Sequence, residues 1–265
     1  MPQPISIVDA FTDRPFGGNP AAVCILPGPA DETWMKNVAR EMNLAETAFL
    51  YRLEGDASYA LRWLTPAVEV DLCGHATLAA AHILWDEGHI PPESLARFQT
   101  RSGWLSAKKR GEEIELDFPE LITTPAPLPD GLERALGAEV LSSGTTGMDF
   151  LVELATEEIL RSLGPDLGVL ATIPARGVIV TSRSTSPGYD FVSRFFAPQC
   201  GIPEDPVTGS AHCALAPFWG ERLGKTEMVG FQASQRGGIV RVRRDSGRVK
   251  LGGNAMTIMR GTLIV

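Results

Sequence analysis

The chain is poor in several features that would each have pointed to a particular setting. It has four cysteines, Cys24, Cys73, Cys200 and Cys213, and no Cys-x-x-Cys pair. That argues against a secreted disulfide framework and a cysteine-rich metal knuckle, and for a reducing compartment. No uncharged apolar run approaches the roughly eighteen residues of a membrane span, and no basic stretch followed by an apolar core opens the chain. A cytoplasmic protein with no membrane contact is therefore expected. Positive charge is also scarce, with 24 Lys and Arg against 32 Asp and Glu and a formal net charge of −8. Such a balance gives a nucleic-acid backbone nothing to hold. The two basic clusters, Lys108-Lys109-Arg110 and Arg241-Val242-Arg243-Arg244, fall on strand and turn segments where charge marks a solvated edge. No nucleic-acid partner is expected. His75, His82 and His89 recur every seven residues, but seven helical residues rise about 10.5 Å. Donors to one metal lie roughly 2 Å from it, so no metal is expected.

What the chain does contain is a repeat. Arg62-Trp63-Leu64-Thr65-Pro66 and Cys73-Gly74-His75-Ala76 return as Arg194-Phe195-Phe196-Ala197-Pro198 and Thr208-Gly209-Ser210-Ala211. Gly74 with Gly209, Gly103 with Gly238, and Leu116 with Leu251 keep one register: 209 − 74, 238 − 103 and 251 − 116 all give 135. The opening block is offset by 194 − 62 = 132, so the second copy carries three extra residues before its glycine, an insertion expected to contain Glu204-Asp205-Pro206. A fixed period of this kind signals duplication. Each glycine opens an apolar stretch that suits a buried helix, Thr77 to Trp85 and His212 to Trp219. Two such helix starts facing one cleft would favour an anion there.

Local patterns fill in the rest. Ile5 to Ala10 reads as a strand, Phe16-Gly17-Gly18-Asn19-Pro20 as a turn cluster, and Ala22 to Leu26 as a second strand. Trp34, Val38 and Met42 set a helical period that ends near Asn43, and Ala48 to Leu53 is again a strand. Strand Tyr59 to Leu64 and hairpin arms Gly103 to Ala107 and Glu113 to Phe118 complete the first half. Pro119, Pro125, Pro127 and Pro129 then mark a boundary. The second half shows helices at Leu132 to Leu136 and Glu157 to Leu163, the latter capped by Thr156. Strands follow at Phe150 to Leu154, Gly177 to Ser182 and Asp190 to Phe196, with Thr257 to Val265 as a final strand. The order implies an α+β protein of two pseudo-symmetric domains, each a mixed β-sheet or barrel wrapped around a central helix. The domains are residues 1–118 and 119–255.

The candidate acid–base groups are Glu46, His75 and Asp205. Glu46 sits where a helix hands over to a strand, a place where a scaffold holds a side chain in an open position. A carboxylate serves as a base toward carbon when its surroundings raise its pKa and the substrate delocalises the resulting charge. His75, directly after Gly74 at a helix start, is expected to be neutral because the dipole opposes its cation. The same position is expected to lower the thiol pKa of Cys73. Its counterpart is Thr208, so a pair of thiols is excluded.

Val8-Asp9-Ala10-Phe11, Phe16-Gly17-Gly18-Asn19-Pro20, Asn43-Leu44-Ala45-Glu46-Thr47-Ala48-Phe49, Thr65-Pro66-Ala67-Val68-Glu69-Val70, Cys73-Gly74-His75-Ala76-Thr77 and Asp205-Pro206-Val207-Thr208-Gly209-Ser210-Ala211-His212 stand in this order over nearly the whole chain. Together they resemble the PhzF family of phenazine-biosynthesis-like isomerases. The resemblance implies the diaminopimelate-epimerase-like fold, a homodimer, no cofactor, and a last strand, 256–265, that returns to the first domain. It also implies proton shuttling by Glu46, support from His75 and Asp205, and a small anionic substrate bound by Asn19, Gly74, Gly209 and Ser210. The expected function is isomerisation of a small carboxylic acid by proton movement between carbons, with Glu46 as general acid/base in the interdomain cleft. Two alternatives stay open: a one-thiol racemase or epimerase using Cys73, and a non-catalytic protein that binds a small acid.

Overall fold

A computed structural model of the chain describes residues 2–55 and 57–264. Two compact units are present, Met1–Phe118 with Gly252–Val265, and Pro119–Leu251. The first contains β1 (Gln3–Ala10), β2 (Asn19–Leu26), α1 (Glu32–Met42), β3 (Glu46–Arg52), β4 (Ser58–Leu64), β5 (Glu69–Val70), α2 (Gly74–Asp86), β6 (Ala96–Thr100), β7 (Gly103–Arg110) and β8 (Glu113–Pro119). The second contains β9 (Thr124–Pro125), α3 (Leu132–Leu136), β10 (Ser142–Thr145), β11 (Asp149–Glu153), α4 (Glu157–Ser162), α5 (Leu167–Leu170), β12 (Gly177–Arg183) and β13 (Phe191–Phe196). A 3₁₀ turn at Pro198–Cys200 leads to α6 (Gly209–Leu223), β14 (Glu227–Gln232), β15 (Gly238–Asp245) and β16 (Arg248–Gly253). The chain closes with β17 (Ala255–Leu263), antiparallel to β1 of the first unit.

Each unit repeats one strand order. In the first, β1 and β2 are antiparallel, β2 and β3 parallel, β3 and β4 antiparallel, β4 and β6 parallel, and β6 and β7 antiparallel. The second runs through β10 to β15 with the same alternation, and β16 adds to β15 as β8 does to β7. Parallel neighbours cannot be joined by a tight hairpin, so each parallel pair requires a crossover. Helices supply it: α1 and α2 in the first unit, α4 with α5, and α6, in the second.

The helices differ in how much of their surface is apolar. α1 is capped by Asp31, which accepts from the Trp34 N–H at 2.9 Å, and stops at Asn43 with φ 50°. It buries one stripe, Met35, Val38 and Ala39, against Cys24, Phe49 and Leu64. In α2, by contrast, eleven of thirteen residues are buried. Its alanines allow close approach to β1, β2 and β3, and a helix apolar all round belongs inside a sheet. α6 is the counterpart in the second unit and contains Pro217. Proline cannot donate to the carbonyl four residues back. That carbonyl, of Cys213, accepts instead from the Leu121 N–H at 3.2 Å.

The repeat also moves the insertion. Arg62 forks onto Glu69, with Nε to Oε1 at 2.8 Å and Nη2 to Oε2 at 2.5 Å, and Arg194 forks onto Glu204 at 2.7 and 2.9 Å. The Asp205 N–H bonds to the Phe195 carbonyl at 3.0 Å, as β5 places Val70 opposite Trp63. Glu204 and Asp205 thus already share the 135-residue register. The three extra residues belong before them, around the 3₁₀ turn, contrary to the sequence expectation. β2 also starts earlier than expected, at Asn19, and the final strand runs from Ala255; the expected strand end at Val265 lies outside the described residues. Among the described residues no helix is long and apolar enough to cross a membrane.

Candidate active site

The first unit gathers four candidate residues at the start of α2. Gly18 makes this possible: its φ is +60°, and a Cβ there would stand 2.1 Å from the Ala10 carbonyl oxygen. Only glycine fits, and the turn delivers Asn19 as the first residue of β2. Ala21 stands opposite Glu46 on β3. Asn19, two residues before Ala21, therefore shares a sheet face with it. The Asn19 carboxamide nitrogen lies 3.1 Å from His75 Nδ1, and His75 Nε2 lies 3.0 Å from Glu46 Oε2. Cys73 Sγ is 3.6 Å from His75 Nδ1. All four residues are buried.

The surroundings of these groups overturn two expectations. Burial opposes a charged imidazole, but the neighbouring Cys73 sulfur and Glu46 carboxylate more than reverse this and hold the His75 pKa well above the ordinary histidine value. A carboxylate at 3.0 Å outweighs the partial charge of a helix end, so the expected low-pKa histidine is not what forms. With the Asn19 amide donating, Nδ1 accepts and the ring proton on Nε2 faces Glu46. A second proton on Nδ1 requires that amide to turn its oxygen inward. Cys73 likewise fails to become an activated thiol. Burial first, then the Glu46 carboxylate, push its pKa up rather than down. The other two histidines of the seven-residue series are engaged elsewhere, His82 with Thr257 at 2.9 Å and His89 with Glu87 at 3.5 Å.

In the second unit Asp205 is buried, and its Oδ2 accepts from the Thr208 hydroxyl at 2.5 Å. Gln232 ties the segment together: its amide nitrogen donates to the Asp205 carbonyl at 2.8 Å, and its oxygen accepts from the Thr208 N–H at 2.9 Å. Gly209 is the buried first residue of α6. Ser210 Oγ accepts from Arg176 Nη2 at 3.0 Å. Arg176 in turn forks onto the fully buried Asp149, Nε to Oδ1 at 2.8 Å and Nη2 to Oδ2 at 2.5 Å. Neither Cys73 nor Thr208 caps its helix with a side-chain hydrogen bond, and neither first turn carries an acidic residue.

Comparison with known proteins places this arrangement. The family model described as phenazine biosynthesis-like protein matches residues 8–261. The chain belongs to this PhzF family. An uncharacterized isomerase of Halalkalibacterium halodurans is 52% identical over 266 residues, covering 100% of both chains. The human phenazine biosynthesis-like domain-containing protein is 41% identical, covering 99% of both. The crystal structure of a PhzF-family phenazine biosynthesis protein from Enterococcus faecalis superposes with a TM-score of 0.95 at 41% identity, covering 100% of both chains. The protein is thus an isomerase with the diaminopimelate-epimerase-like fold.

Strand register in this PhzF protein shows what the repeat has lost. β12 and β13 pair Val178 with Phe196 as β3 and β4 pair Thr47 with Leu64, so Gly177 is the counterpart of Glu46 and Phe195 that of Trp63. A Cβ at Gly177 would meet the Phe195 ring at 2.4 Å, which leaves no space for a carboxylate. Ser210 replaces His75 and Thr208 replaces Cys73. In exchange the residue before Gly177 is Arg176, which sequence reading passed over. The signal was present, because Arg176-Gly177 aligns with Ala45-Glu46, but at an offset of 177 − 46 = 131 that the fixed period does not reveal.

Proposed function

We propose that this isomerase moves a proton between carbons of a small carboxylic acid, with Glu46 as the group that removes and returns it. The observation that carries the reading is the buried Glu46–His75 pair at 3.0 Å, steadied from the far side of the ring by Asn19. A carboxylate held this way approaches a C–H without competition from water, and the adjacent imidazole donates to charge that develops on the substrate. The repeat supports a single base, since Gly177 and Phe195 leave the second copy without one. Gly74, Gly209, Ser210, Asp205 and Asn19 are proposed as substrate-binding groups. Arg176 joins them, because a guanidinium that donates to the Ser210 hydroxyl also supplies positive charge for a carboxylate. The racemase reading with Cys73 as base is disfavoured by the raised pKa of that thiol.

The test is proton exchange at carbon. Unsaturated, hydroxy and amino acids are incubated with the protein in D₂O, and label is followed by mass spectrometry and NMR. Glu46→Gln keeps the shape but cannot take a proton, and a loss on the order of 10² to 10⁴ in exchange rate is expected. Near-normal exchange in Glu46→Gln, with loss in Cys73→Ser, would transfer the role to the thiol.

A further inference from the structure

The repeat supplies an internal control for the polar residues at the start of α6. In both copies the segment before the helix glycine is held through its backbone. The Asp205 N–H reaches the Phe195 carbonyl as Val70 pairs with Trp63, and Ser234 Oγ donates to the Pro206 carbonyl at 2.8 Å as Ser102 Oγ donates to that of Asp71 at 2.5 Å. These backbone anchors are common to the two copies. The second copy adds Asp205, Thr208 and Gln232, all buried, where the first has Val70, Cys73 and Thr100. Strand register makes Thr100 the counterpart of Gln232, since Phe191 pairs with Gly230 as Tyr59 pairs with Phe98. The Thr100 hydroxyl donates within its own turn, to the Gly103 carbonyl at 2.8 Å. Groups that only held the fold would be expected in both copies.

The added groups fix one another's direction. The Thr208 backbone N–H only donates, so the Gln232 atom 2.9 Å from it is the amide oxygen; the Asp205 carbonyl only accepts, so the atom 2.8 Å from it is the amide nitrogen. That nitrogen also lies 3.2 Å from Thr208 Oγ1, to which it can only donate. The single hydroxyl proton is thereby directed to Asp205 Oδ2, at 2.5 Å. The chain runs one way, from amide to hydroxyl to carboxylate. A donor delivered to a carboxylate favours its charged form.

We propose that Gln232 and Thr208 are positioning residues, which hold the Asp205 side chain as an ionised acceptor for an N–H or O–H of the substrate. The contact with substrate rests on the reading of Asp205 as a binding group; the hydrogen-bond chain does not.

Two measurements separate these parts. The first needs no substrate: the Asp205 carboxyl carbon is titrated by NMR in protein made with ¹³Cγ-labelled aspartate, its signal identified by its loss in Asp205→Asn. Thr208→Val keeps the shape and removes the donor, and should raise the pH at which Asp205 titrates by on the order of one unit. Gln232→Met frees the hydroxyl to turn away and should move the titration in the same direction, whereas Thr208→Ser should restore the parent value. Charged and titratable groups near Asp205 in the second unit include Arg176, the Glu204–Arg194 pair and His212, and all are common to parent and variants. Ser234→Ala, which removes a shared backbone anchor, should lower the urea midpoint and leave the titration in place. An unchanged titration in Thr208→Val overturns the chain, and one unchanged in Gln232→Met alone removes Gln232 from it. The second measurement is deuterium exchange at pH 7.5 into the unsaturated, hydroxy and amino acids. Thr208→Val and Gln232→Met should raise KM about tenfold with kcat changed less than about threefold, the signature of lost binding rather than lost chemistry, and Thr208→Ser should reverse it. An unchanged KM overturns the contact of Asp205 with substrate. A titration that moves in a protein that catalyses no exchange upholds the chain and counts against the proton-transfer reading.

Discussion

His212, in the first turn of α6, ties the stability of the second unit to pH. Its side chain is fully buried, with its ring centroid 5.9 Å from that of Phe191, and Nδ1 donates to the Thr208 carbonyl at 2.9 Å. Nε2 has no hydrogen-bond partner among the described residues. Burial, only partly offset by the Thr208 bond, drops the pKa to about 4 from the ordinary 6.5. The folded state therefore holds fewer protons than the unfolded chain between those values. The stability of the neutral ring is fully present above pH 6.5 and is lost as pH falls toward 4. The difference of about 2.5 pH units is worth about 3 kcal/mol at 1.36 kcal/mol per unit, with most of it gone by pH 4.5. The perturbation is His212→Leu, which removes the titration. The Thr208 carbonyl still receives the His212 backbone N–H, at 3.3 Å, through the helix. Urea unfolding of both proteins from pH 7.5 to 4.5 separates this effect from the carboxylates that titrate in common. The parent should lose about 2.5 kcal/mol more than the variant over that range. Parallel curves would refute the argument and show that the ring is solvated or charged in the native state.

Three further outcomes follow from the structure. Gly18→Ala places a Cβ against a backbone oxygen at a left-handed φ, so it should cost more than 1–2 kcal/mol, roughly the strain alone. Because it displaces Asn19, whose amide donates to Nδ1 of the uncharged ring, it should also raise the His75 pKa seen by NMR. Gly28→Ala has nothing within 4 Å and should change stability by less than about 0.5 kcal/mol. Arg176→Met leaves the Asp149 carboxylate buried without its fork. Because the guanidinium is 36% exposed, the cost in urea unfolding should be about 2–3 kcal/mol rather than that of a fully buried pair, and the added change Asp149→Asn should recover part of it. An unchanged midpoint in Arg176→Met would mean that water already satisfies Asp149.

Much of the fold was readable because it depends on local chemistry. The period of Trp34, Val38 and Met42, the caps at Asp31 and Thr156, and the alternation of the hairpin arms are short-range signals, and α1, α4, β7 and β8 appear where those signals lie. β6, β10 and β14 were not anticipated. They are short, their apolar residues do not stand out from their surroundings, and they are strands because neighbours offer them hydrogen-bond partners. Glu46, His75 and Asp205 could be picked out as chemical groups, and the resemblance gave them roles. The contacts of Asn19 with His75 and of Arg176 with Ser210 could not be picked out, because each joins elements far apart in the chain.

The amino-acid order by itself determined the duplication, the two Gly-led helices and the candidate groups Glu46, His75 and Asp205, because these reside in residue types and their spacing. Only the tertiary structure decided the electrostatics. A helix start predicts a low-pKa imidazole and a reactive thiol; Cys73 and the Glu46 carboxylate, brought to 3.0 Å from β3, raise the imidazole's pKa against its burial, and burial raises the thiol's. Charge interactions grow as distance shrinks and as water is excluded. Both quantities are properties of packing, which a linear sequence does not contain.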